Sequence, residues 1–254
     1  IIYCEDTLKA LQSLAKFHRS FYKKPLIGLT GSNGKTTTKE LMFRALSKKY
    51  ITHATKGNLN NHIGVPLTLL GITPQTQMTI IEMGANHVGE INELCQMAQP
   101  THGLITNIGS AHTATFGGFE GVIRGKSELF EYLRTSHGLP FINTEDKVLA
   151  NMAKRFEEKI LYPSDAMKFV AAQPMMSYER AEVTHQTHLL GAYNYMNLAA
   201  VLAVGTYFKV EEISLLDAVN NYQSDNMRSQ LLLKGSNQIL LDAYNANPDS
   251  MRVA

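Results

Sequence analysis

The chain has 254 residues, 44% hydrophobic and 18% charged, which is ordinary globular usage and leaves room for one large core and a smaller second piece. Its 24 Lys and Arg against 22 Asp and Glu give a formal charge of +2. That excludes a polybasic face for nucleic acid or anionic lipid, and no apolar run is long enough to insert into a membrane.

Residues 7–18 place Leu8, Leu11, Leu14, Ala15 and His18 at helical spacing, predicting an amphipathic helix that leads into the first strand. Residues 26–29 read as a short apolar strand, followed by a glycine-rich turn and a helix over 36–47. The unit recurs as strand 77–83 with helix 88–97, strand 101–107 with helix 119–133, and strand 139–143. Such alternation predicts an α/β fold with a mostly parallel central sheet covered by helices on both faces, because parallel strands need crossover helices. Residues 168–190 change to short alternating segments, such as Val183-Thr184-His185-Gln186-Thr187-His188, which suit a small section of exposed antiparallel strands. Helices resume over 192–208 and 213–219, the polar run Gln223-Ser224-Asp225-Asn226 marks a domain boundary, and a strand over 239–241 begins something new.

Cys4 and Cys95 have no CxxC spacing and make no disulfide framework, so they are expected to be inert and the setting a reducing cytoplasm. The chain opens Ile1-Ile2-Tyr3 without a basic segment or cleavage site, so no secretory leader is expected, and both ends read as cut. The methionines read as core. His185 and His188 fall on opposite faces of a strand, which argues against a metal pair.

The chemistry starts at Thr30-Gly31-Ser32-Asn33-Gly34-Lys35-Thr36-Thr37. Glycines at 31 and 34 let the backbone curl so that successive N–H groups face phosphate oxygens, and the following helix adds its positive end. Lys35 can reach the β- and γ-phosphates, and the Thr36 hydroxyl can ligate Mg²⁺. The Walker form G-x-x-x-x-G-K-(S/T) needs glycine at position 29, where Leu29 stands, and Gly28 is one residue early. A turn before a surface helix would explain the glycines but not Lys-Thr-Thr at the helix mouth. Glu82 closes an apolar strand at the carboxyl edge of the sheet, where open α/β folds bind ligands. Alone, a strand-end Glu82 or a loop His112 is more often a hydrogen-bonded structural residue than a metal ligand.

The loop is similar to that of Mur ligases and folylpolyglutamate synthases, which lack the first Walker glycine. Three further segments resemble those Mur ligases that add D-alanyl-D-alanine. They are Gly57-Asn58-Leu59-Asn60-Asn61-His62-Ile63-Gly64-Val65-Pro66, Glu82-Met83-Gly84-Ala85-Asn86-His87, and the run from Asp242-Ala243-Tyr244-Asn245 to Met251. The resemblance covers the whole chain. It implies a linker strand and helix over 1–22 from an N-terminal domain that is missing, a central ATP-binding domain over 23–225, and over 226–254 the start of a truncated C-terminal, Rossmann-like domain.

By the same resemblance, ATP is the cofactor with Mg²⁺ at two sites. Glu82 is a ligand shared by both ions, His112 serves the second, and Lys126 becomes a ligand once carbamylated, its plain alternative being a solvated helix lysine. Gly125 replaces the alanine the family leads one to expect, slightly loosening that helix. Asn194 and Asn197 match an N-x-x-N helix start with Asn194 on the adenine side, an N-cap pair being the alternative. Arg228 and Asp242 match residues that reach the ATP phosphates and ribose after domain closure. Asn58, Asn60, Asn61 and His62 are expected to face the peptide substrate, with an Asx-rich turn as the competing account.

The implied reaction joins D-Ala-D-Ala to a UDP-N-acetylmuramoyl tripeptide through an acyl phosphate, performed by a monomeric cytoplasmic enzyme without nucleic acid. The rivals are a folylpolyglutamate synthase-like ligase, a P-loop kinase or ATPase, and a fragment that binds nucleotide weakly and ligates nothing alone.

Overall fold

The computed structural model describes residues 3–110, 113–244 and 251. Asp6 caps α1 (Thr7–Phe21), its carboxylate accepting from Leu8 N and Lys9 N at 3.0 Å. Then come β1 (Leu26–Thr30), α2 (Lys35–Ser47), β2 (Thr52–Ala54), α3 (Gly64–Leu70), β3 (Met78–Glu82), α4 (Glu90–Ala98) and β4 (His102–Ile105). The short α5 (Thr113–Phe116) leads to α6 (Phe119–Thr135), β5 (Leu139–Asn143), α7 (Lys147–Met152) and β6 (Ile160–Tyr162).

These six strands form one parallel sheet in the order β2-β3-β1-β4-β5-β6. Every residue of β1 and β3 is buried, as expected for central strands covered on both sides. Two apolar layers do the covering. One gathers Leu41, Met42 and Leu46 of α2 with Leu198, Val201 and Leu202 of α8 (Asn194–Tyr207). The other joins Ala15 of α1 to Leu69 of α3, Leu94 of α4 and Leu129 of α6. Gly28 lies within β1, where a Cβ would stand 3.0 Å from Leu129. It therefore serves close packing of α6 on the sheet, and the phosphate loop begins after it.

A second, antiparallel sheet orders β7 (Met167–Ala172), β8 (Met175–Arg180) and β9 (Val183–Leu190) in sequence. It is less exposed than its alternation suggests, because Met176, Tyr178 and Leu189 enter the core with α8 and α9 (Glu212–Asn220). Past the polar break, β10 (Gln230–Lys234) and β11 (Asn237–Leu241) form an antiparallel hairpin.

The periodic elements lie within a few residues of their expected bounds. Those that sequence periodicity does not announce are β2, α3, α5, α7, β6 and β10, of three to seven residues each, too short to display a period. Among the described residues no helix is long and apolar enough to cross a membrane.

Candidate active site

The strand order turns about β1, so the carboxyl ends of β3, β1 and β4 lie side by side and open into a cleft of about 790 Å³. Each strand delivers one part of the wall. From β1 comes the loop 31–34, with Gly31 at φ 143° and Gly34 at φ 80°, backbone that a side chain resists. A Cβ on Gly31 would overlap the Thr106 hydroxyl, and one on Gly34 would overlap the Asn197 amide. The end of β4 grips the loop from the other side: Ser32 N donates to Asn107 O (3.0 Å), Asn33 N to Asn107 Oδ1 (3.0 Å), and Thr106 Oγ1 to Asn33 O (2.6 Å). Ser32 Oγ in turn accepts from Gly109 N at 2.8 Å.

Lys35 is half-buried, and its Nζ donates to Gly31 O (2.7 Å) and Ser32 O (3.2 Å). Burial lowers its pKa, Glu82 opposes that, and the Arg228 charge adds to it. Glu82, 1% exposed, stands at the end of β3. Its Oε1 accepts from Asn60 Nδ2 (2.8 Å) and Thr36 Oγ1 (3.3 Å), whereas its buried Oε2 has no hydrogen-bond partner among the described residues. A buried carboxylate oxygen without a donor carries a large desolvation penalty. A hard divalent cation beside the Thr36 hydroxyl would offset it, so this donor set fits Mg²⁺.

Lys126, on α6, is 1% exposed, which removes the solvated-lysine alternative. Its Nζ donates to Ala85 O at 3.2 Å and lies 5.1 Å from the centre of the Phe116 ring. Burial pulls its pKa down to about 7, with the Lys35 charge lowering it further and Glu90 and Glu128 opposing. The glycine before it has a packing reason: a Cβ on Gly125 would run into the Phe116 ring. His112 lies outside the described residues.

Asn58, Asn60, Asn61 and His62 all line the cleft. Asn60 nevertheless spends its amide on Glu82, and Asn61 Oδ1 accepts from Ile63 N (3.1 Å) and Gly64 N (2.9 Å) at the start of α3. Asn61 thus forms an Asx turn while lining the cleft. The N-cap alternative for Asn194 and Asn197 does not, because α8 has no side-chain cap. Both are buried, with Asn197 Nδ2 donating to Asn194 Oδ1 (2.9 Å) and Asn197 Oδ1 accepting from Thr38 Oγ1 (3.1 Å). Arg228 and Asp242, expected to need domain closure, already line the cleft. Tyr193 OH meets Ser229 Oγ at 2.5 Å and so ties α8 to their segment.

His185 stacks on Tyr178 while His188 reaches the cleft, so the two do not converge. Cys95 is buried with its thiol pKa pushed up, as an inert cysteine should be. Sequence reasoning missed Thr106, Asn107 and Tyr193. The first two are polar residues closing an apolar strand, the same signal that singled out Glu82.

A parallel sheet whose strand ends meet at a glycine-rich loop, with a lysine and a hydroxyl at the helix mouth, defines a phosphate-loop α/β domain. Within that class the chain belongs to the Mur ligase family: the Mur ligase middle domain matches residues 29–205. It is 36% identical, over its whole length, to the UDP-N-acetylmuramoyl-tripeptide--D-alanyl-D-alanine ligase of Bacillus subtilis (strain 168), and covers 57% of that protein. The structure matches MurF from Acinetobacter baumannii with a TM-score of 0.89 at 30% identity, covering 99% of this chain and 58% of that one. It shares its fold with MurF ligase from Thermotoga maritima in complex with ADP, with a TM-score of 0.86 at 24% identity over 100% of this chain and 61% of the other. The chain thus spans somewhat over half the length of these relatives.

Proposed function

We propose that this chain is the nucleotide-binding body of an ATP-dependent amide-bond ligase that joins D-alanyl-D-alanine to a UDP-N-acetylmuramoyl tripeptide in peptidoglycan precursor synthesis. The observation that carries the reading is the junction of the Gly31-to-Thr37 loop with Glu82, whose Oε2 is buried without a donor among the described residues. The relatives' names supply the substrates.

A carboxylate and an amine do not condense in water, so the carboxylate must first acquire a better leaving group. The N–H groups of the loop and Lys35 would bind the ATP phosphates, with Asn194 toward the adenine and Arg228 and Asp242 toward phosphates and ribose. Thr36 and Glu82 would hold one Mg²⁺, and Glu82 with His112 and carbamylated Lys126 a second. When bound, these ions neutralise phosphate charge and so lower the barrier to attack. Carbamate formation needs a neutral amine, and a lysine with a pKa near 7 supplies one at neutral pH.

The peptide carboxylate, held near the residue 58–62 loop, would attack the γ-phosphorus, releasing ADP and leaving an acyl phosphate. The D-Ala-D-Ala amine then attacks the carbonyl carbon, the tetrahedral intermediate expels phosphate, and the amine proton leaves to solvent. Phosphate release by the full-length protein tests this: it is expected only with tripeptide and dipeptide together, and equal release without the dipeptide overturns the ligase reading.

A further inference from the structure

Lys39 lies one turn beyond Lys35 on α2 and is 0% exposed. Its Nζ donates to Thr55 O at 2.8 Å and pairs with Glu40 Oε1 at 2.7 Å. A lysine is a poor filler for a dry position, since an apolar side chain of similar size would pack there without desolvating a charged group. What it touches gives the reason for its presence.

Thr55 follows β2 directly. Its N–H donates to Ile80 O (3.0 Å), and its Oγ1 accepts from Glu82 N (3.0 Å), fixing the backbone at the end of β3. From Thr55 the chain runs into the loop that carries Asn60, whose amide holds Glu82 Oε1 and whose carbonyl accepts from Gly84 N at 2.7 Å. The backbone and one carboxylate oxygen of Glu82 are thus both held by a segment rooted at Thr55. That root is fastened to the helix presenting Lys35 and Thr36.

We infer that Lys39 is a positioning residue: through Thr55 it holds Glu82 and the Asn60 loop in register with the phosphate loop, so that Glu82 Oε2 and the Thr36 hydroxyl face one point. This rests on the reading of Glu82 as a Mg²⁺ ligand.

Three variants of the chain test it. Lys39→Met removes the donor at similar length, Thr55→Val removes the hydroxyl at similar shape, and Thr55→Ser keeps it. Amide hydrogen exchange at Glu82 and residues 56–60 should rise about tenfold in the first two variants, the scale of one buried hydrogen bond, and not in the third. Amides of β1 and β4 should stay unchanged. No rise at those residues, or an even rise across the sheet, overturns the inference. Should Lys39→Met not fold, Lys39→Gln, whose shorter side chain gives up the ammonium bond to Thr55 O, takes its place, and unchanged exchange at Glu82 and residues 56–60 then overturns the inference.

ADP titrated with Mg²⁺ and with EDTA gives the readout that a merely structural role would not move. The gain in affinity from Mg²⁺ should fall about tenfold in Lys39→Met, while affinity in EDTA stays within about twofold. Equal losses in both conditions overturn the inference. If the unaltered chain gains nothing from Mg²⁺, the metal-ligand reading of Glu82 fails instead, and the exchange pattern alone decides the role of Lys39.

Discussion

The two lysines proposed to serve the phosphate chemistry are held in opposite ways. Around Lys35, position is fixed by many mutually supporting contacts: two glycines with positive φ, and a β4 end that meets the loop through Ser32 N, Asn33 N and Asn33 O. Around Lys126 the described residues offer one long bond to Ala85 O and an aromatic face, and the notable property is electrostatic, a pKa brought down to about 7. The loop wall works by geometry set in advance, and the lysine corner by a charge state poised near neutrality. A substitution in the first should therefore act through sterics at every pH. One in the second should act through protonation.

The largest effect is expected at Gly31. Gly31→Ala forces a Cβ into the Thr106 hydroxyl at a φ that alanine resists, so nucleotide binding should be lost and stability should fall by about 1–3 kcal/mol. Calorimetric titration with ADP and thermal melting check both, and wild-type binding would break the geometric half of the comparison.

Next is Lys126. The folded state holds its pKa below the ordinary lysine value, so between about pH 7 and the unfolded pKa the unfolded chain binds more protons and stability rises with pH. Below that window the charged form must be accommodated in the fold. Lys126→Met should therefore raise the melting temperature most at pH 6, with the gain shrinking toward pH 10. A gain independent of pH would contradict the electrostatic account. In the full-length protein, Lys126→Ala should lose phosphate release and regain part of it with bicarbonate or short carboxylates, and failure of that rescue argues against the carbamate.

The smallest effect concerns Asp146, which serves the loop wall from a distance. Its Oδ1 caps α7 through Val148 N (2.9 Å) and Leu149 N (3.1 Å), and its Oδ2 accepts from Ile108 N (2.8 Å) beside Gly109. Asp146→Ala should cost about 2 kcal/mol, one cap plus one charge-assisted bond, measured by denaturant melting. A cost near zero would mean that the β4 loop is held by other contacts.

The parts of this site that can be read in advance are those contiguous in the chain. Gly31 to Thr37 carries its spacing and its strand-loop-helix setting together, and Glu82 is marked by a carboxylate ending an apolar strand. What stayed hidden is tertiary. Nothing in the run Gly57 to Pro66 says that the amide of Asn60 is committed to Glu82, because that bond joins residues 22 positions apart. Lys39 reads as any helical lysine until α2 is laid against Thr55. Gly125 looked like a weakened helix position, and Phe116 supplies its packing reason only once α5 folds onto α6. The short β2 and α3 show no period of their own, yet they frame the loop that reaches Glu82.

The central claim is that the peptide carboxylate attacks the γ-phosphorus in this cleft. An ¹⁸O label in the reacting carboxylate of the UDP-muramoyl tripeptide follows that oxygen through the acyl phosphate into the phosphate expelled by D-Ala-D-Ala. With both carboxylate oxygens labelled, the account predicts one ¹⁸O in each phosphate released. Unlabelled phosphate formed alongside amide product would contradict it.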